Sequence, residues 1–128
     1  MLDKELFEYA VVRLVPRVER EEFVNVGVVL FCKAQRFLRM RFQLDERRCA
    51  CLFAGLDVQE ATDYLHLFQQ ICAGQGGAHE IASLPQAERF RWLTARRSAI
   101  IQTSAVHPGR CVDAEATLEQ LYLQLVAE

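Results

Sequence analysis

A chain of 128 residues, 52% apolar and 25% charged, suits one domain that buries about two-thirds of its unfolded surface. This composition excludes a disordered polyelectrolyte, and no apolar run approaches the ~20 residues of a membrane span. A net charge of −2 argues against life on duplex phosphates, which favours a clear positive excess.

In chain order, Phe7 to Pro16 reads as a strand with Phe7, Tyr9, Val11 and Val15 on one face and Ala10, Val12 and Leu14 on the other. Both faces are apolar, so it is expected to be covered on each side, and Pro16 ends it. After a charged link from Arg17 to Glu22, Phe23 to Cys32 forms a second apolar strand, with Asn25 and Gly27 expected on a common face. Residues 33–36 make a hairpin loop into Phe37–Phe42, where Leu38, Met40 and Phe42 alternate with Arg39 and Arg41. Asp45 caps a short helix through Phe53, closed by Gly55, and Asp57 caps a longer one to about Cys72. The apolar stripe of the longer helix is Ala61, Tyr64, Leu65, Phe68, Ile71 and Cys72, with His66 nearly opposite. Residues 74–77 are expected to be a mobile glycine-rich loop. Leu84-Pro85 opens a helix through Trp92 or Leu93, Ala99–Ser104 is a fourth strand, and His107-Pro108-Gly109 marks a turn. Asp113 caps the last helix, whose stripe is Ala114, Leu118, Leu121, Tyr122 and Leu125. The expected fold is a single α+β domain over 1–128, an antiparallel sheet of about four strands with three to four helices packed against it.

Five cysteines, Cys32, Cys49, Cys51, Cys72 and Cys111, are odd in number and lack C-x-x-C spacing. Cys49 and Cys51, two apart on a helix, would point roughly 200° apart, which is wrong for a shared metal. They read as thiols of a reducing compartment, and the N-terminal residues do not form a signal peptide, so a cytoplasmic location is expected with no metal or cofactor.

Chemistry-bearing side chains are densest from Arg89 to Gly109, which holds four of the thirteen arginines and the only tryptophan. Arginine's planar fork suits bidentate anion contacts, although a GC-rich genome produces the same bias. One candidate site combines Arg13, Asn25, Arg97, Ser98, Gln102, Ser104 and His107 as a polar notch for phosphate or carboxylate. Against it stands a purely structural network in which Glu22 partners Arg13 and Asn25 satisfies a loop backbone. Arg89, Arg91, Trp92, Arg96 and Arg97 form a second candidate, with the composition of an interface hot spot or of a stacking surface for single-stranded nucleic acid. The alternative is a helix with Phe90, Leu93 and Trp92 in the core and its arginines in solvent. His107 is a candidate general base only if Ser98 or Ser104 meets it, and no catalytic motif is present, so no catalytic residue is assigned.

Four blocks in order, Tyr9–Pro16, Glu22–Phe31, Arg89–Ala95 and Arg97–His107, resemble the bacterial family known as domain of unknown function 3037 over nearly the whole chain. The resemblance implies no activity. It does imply an association with a HipA-like serine/threonine kinase, beside which such proteins are often encoded. The family pattern carries proline where Thr103 and Ala105 stand, which implies a less rigid loop before His107 here. The leading expectation is therefore a non-catalytic cytosolic binding or adaptor protein with a protein partner, a HipA-like kinase being the first candidate, in a toxin–antitoxin-like or regulatory module. The first alternative is a small enzyme or ligand-binding domain for a phosphorylated or nucleotide-like anion held by Arg13, Asn25, Arg97 and His107. A nucleic-acid-binding regulator is the third reading.

Overall fold

In the computed structural model, which describes residues 3–75, 77 and 79–127, five strands and four helices build an α+β domain around one open antiparallel sheet. The strands are β1 Glu5–Leu14, β2 Val24–Cys32, β3 Phe37–Phe42, β4 Ile101–Thr103 and β5 His107–Cys111. The helices are α1 Glu46–Leu52, α2 Val58–Ala73, α3 Gln86–Thr94 and α4 Ala114–Leu125, with short 3-10 turns at Val18–Arg20 and Glu80–Ser83. No described helix is long and apolar enough to cross a membrane.

The two apolar faces of β1 dictate the layering. Ala10, Val12 and Leu14 pack with Leu65, Phe68 and Ile71 of α2 and Phe90 and Leu93 of α3. Phe7, on the opposite face, belongs to a second core with Val28, Leu30 and Cys32 of β2 and Ala114, Leu118 and Tyr122 of α4. Capping aspartates start three helices as their sequence positions require: Asp45 accepts from Arg48 N–H, Asp57 from Glu60 N–H, and Asp113 from Glu115 and Ala116 N–H. Gly74, at φ 69°, closes α2 in the left-handed conformation. The expected loop at 74–77 falls partly on residue 76, which lies outside the described residues.

The strand order is β3-β2-β1-β4, and β5 also pairs with β1. Along its outer edge β1 therefore meets two partners in succession: β4 at Val12–Leu14 and β5 at Glu5–Tyr9. The turn expected at His107-Pro108-Gly109 is instead this fifth strand. Proline and glycine hid it, and both have a place here. A proline is tolerated on an edge strand, and Gly109 lies opposite Phe7, whose ring covers it.

Between β4 and β5 the ladder is patched by a side chain. Ser104 N–H donates to Val11 C=O at 2.8 Å, as in a regular strand. The return bond, from Val11 N–H, goes to the Ser104 hydroxyl at 2.9 Å. That hydroxyl donates in turn to Ala105 C=O at 2.9 Å. The chain can thus leave the ladder without stranding a buried amide.

A register slip between Val12 and Arg13 corrects one further expectation. On β2, Val24 and Val26 pack in or against the α2–α3 core, whereas Val28 and Leu30 belong to the α4 core. Side-chain alternation reverses across the slip, so Asn25 and Gly27 do not share a face. A Cβ at Gly27 would lie 2.8 Å from Arg41 O, so glycine serves close backbone approach to β3 rather than a ligand.

Candidate functional site

One groove of about 810 Å³ wraps the β4 edge where the C-terminal third folds back against the β1–β2 connection. Its walls bring together Arg13, Arg96, Arg97, Ser98, Gln102 and Ser104, with Val15, Val18, Glu21 and Phe23 contributed by the first hairpin. The register explains the convergence: Arg13 stands opposite Gln102 of β4 on one side and Asn25 of β2 on the other.

Arg13 is half-buried, and its guanidinium lies 4.1 Å over the ring of Phe23. The expected ion pair with Glu22 does not form, because Glu22 is taken by Arg20 at 2.5 Å. Arg13 Nε is buried without an acceptor among the described residues. Such an unpaired buried donor costs about 1–3 kcal/mol.

Arg97 is held differently. Its guanidinium stacks 4.5 Å over Trp92 and 5.1 Å over Phe68, with Nη2 donating to Trp92 C=O and Nε to Ala95 C=O. Burial lowers its pKa from the ordinary arginine value. Arg97 therefore shapes the groove and lends it charge, whereas Arg96 and Ser98 are exposed on its rim. Gln102 is partly committed, its amide donating to Ala99 C=O at 2.9 Å.

Other expected site residues serve the fold or lie elsewhere. Arg89 is buried, and its Nη1 donates to Ile71 and Cys72 C=O, both at 2.9 Å, while Nε donates to Leu84 C=O. It closes the C-terminus of α2, where a cation meets the negative end of the helix dipole. Trp92 packs edge-on to Phe68 and tilted against His79, so it offers no free stacking surface, while Arg91 is exposed on α3. Asn25 donates to Leu125 C=O and pins the end of α4, its Oδ1 being buried without a partner among the described residues. His107, on β5, pairs with Tyr9 of β1, its ring 5.4 Å from the Tyr9 ring. Tyr9 stands four residues from Arg13 along β1, roughly 13 Å. The quartet Arg13, Asn25, Arg97 and His107 therefore does not form one pocket; only Arg13 and Arg97 reach the groove, and His107 meets neither Ser98 nor Ser104 there. Sequence reasoning missed Phe23, Val18 and Glu21 as groove residues. Phe23 was readable only as strand, since its role depends on the guanidinium ten residues earlier.

The thiols belong to the scaffold. Burial pushes Cys72 up to about 12 and also raises Cys49 and Cys111 above the ordinary thiol value. Cys49 is buried and Cys51 exposed, the opposed directions expected of residues two apart on α1.

A family model described as "Protein of unknown function (DUF3037)" matches residues 9–126. No curated protein and no solved structure gives a significant match.

Proposed function

We propose that this chain, which belongs to the DUF3037 family, is a non-catalytic binding protein that captures an anionic group of a protein partner in the groove at the β4 edge. The observation that carries this reading is Arg13: a guanidinium stacked on Phe23, with its Nε buried and without an acceptor among the described residues, beside Arg96 and Arg97 in one groove. A carboxylate or phosphate meets that arrangement with charge-assisted hydrogen bonds. Phe23, 47% exposed, and the half-buried Val18 add an apolar surface suited to a protein rather than a free ion.

The HipA-like kinase implied by the family resemblance is the first partner to test, in the bacterial cytoplasm. Co-expression and co-purification of the two proteins should give a complex that survives at micromolar concentration, and Arg13→Ala with Arg96→Ala should weaken it at least tenfold. A stable complex indifferent to both substitutions would remove the groove from the reading. Absence of any complex would remove this partner.

A second reading, a domain for a phosphorylated or nucleotide-like small molecule, is favoured by the same Arg13 Nε. Titration with inorganic phosphate and with nucleotides separates the two, since this reading requires saturable binding without protein. The nucleic-acid reading has less support, because Trp92 is engaged by Phe68, His79 and Arg97 and the chain carries a net −2.

A further inference from the structure

We propose a second anion subsite across the Val18–Arg20 turn, so that the partner segment carries two acidic groups and straddles that turn. The inference rests on the binding reading above and specifies its ligand. In a 3-10 turn, residues three apart eclipse. Arg17 and Arg20, which flank and end the turn, fall in one row, and Val18 and Glu21 fall in another. The cavities follow that division: Val18 and Glu21 line the Arg13 groove, whereas Arg17 and Arg20 line a separate cleft of about 440 Å³. Its opposite wall is Phe53 to Leu56, the connection between α1 and α2.

A carboxylate already sits in this cleft. Glu22 Oε1 lies 2.5 Å from Arg20 Nε, so the chain's own side chain occupies the place of a partner's acid. Both members are well exposed, at 59% and 57%, and such pairs are held weakly against water and salt. An incoming anion that meets Arg17 and Arg20 together displaces Glu22 at little cost. Access is open at Gly55, where nothing lies within 4 Å of the position a Cβ would take. The turn stands between the two cationic clefts, and a helical turn with its side chains is roughly 10 Å across, which about three extended residues span. Tethering two acids on one peptide makes the second contact intramolecular, so affinity rises without either site being strong.

The test uses the full chain and synthetic peptides carrying one phosphoserine, or two separated by one to five residues. The expected result is at least tenfold tighter binding of the two-phosphoserine peptide with two to four intervening residues. Arg17→Ala with Arg20→Ala should reduce that peptide to the one-phosphoserine level. Glu22→Gln, which empties the cleft of its internal carboxylate, should tighten it at least threefold. Arg13→Ala should weaken both peptides. If Arg13→Ala weakens binding while the Arg17, Arg20 and Glu22 substitutions change nothing, the second subsite is wrong and the groove reading stands. If Arg13→Ala is without effect while peptides bind, the groove reading itself fails. Absence of peptide binding to millimolar concentration, or equal binding of a short oligothymidylate, overturns the two-acid protein segment.

Discussion

Replacing Ser104 by alanine removes the hydroxyl that accepts from the buried Val11 N–H. Leaving that buried amide unpaired should lower stability by about 1–3 kcal/mol, read as an earlier midpoint in urea with an unchanged slope. A variant as stable as the parent would show that another acceptor replaces the hydroxyl. From sequence, Ser104 was grouped with anion-binding residues because hydroxyl, guanidinium and imidazole side chains clustered near it. That cluster mixed three jobs: mending the ladder at Ser104, closing α2 at Arg89, and lining a groove at Arg96 and Arg97. Residue type gives the chemistry available. Which backbone group claims it depends on contacts up to 100 positions apart.

At the level of elements, periodicity and caps were legible. The alternation in β3, the residue 33–36 hairpin and the aspartate starts of α1, α2 and α4 all stand in the structure, because each is fixed by neighbours in sequence. β5 was not legible, since its pairing with β1 rather than its own residue types makes it a strand. Gly109 is the sharpest part of that pairing: an added Cβ would lie 2.5 Å from Phe7 Cζ and 2.7 Å from Cε1. Gly109→Ala should therefore cost about 1–3 kcal/mol through overpacking. Combining it with Phe7→Leu should recover part of the loss, measured as a coupling energy in a double-mutant cycle. Strict additivity would mean that the ring moves aside freely.

For the whole molecule, the resemblance to the family and the α+β class were both readable from the sequence, and the family match covers residues 9–126. Of the notch that joins Arg13, Asn25, Arg97 and His107 in sequence terms, Arg13 and Arg97 line one groove, whereas Asn25 and His107 stand outside it. Global stability should carry the signature of Cys72. Its thiol ionises near 9.0 when unfolded and at about 12 when folded, so above pH 9 the folded chain holds a proton that the unfolded chain has lost. The stabilisation is complete below pH 9 and is lost as pH rises towards 12. Cys72→Ala should flatten the decline between those limits in denaturation curves taken at successive pH values. Equal slopes for parent and variant would place the thiol in water rather than under α3.

The central position of β1 has a cost in time. Its two outer neighbours come from residues 101–111, so a ribosome has released the first strand and most of the helices before that edge can be closed. Until then the nascent hairpin of β1 and β2 carries an open, strongly apolar flank, the kind of surface that invites self-association and engages chaperones. Contacts of such sequence separation also slow refolding relative to a helical bundle of equal length. Yield in cells is thereby tied to how quickly translation delivers the last quarter of the chain.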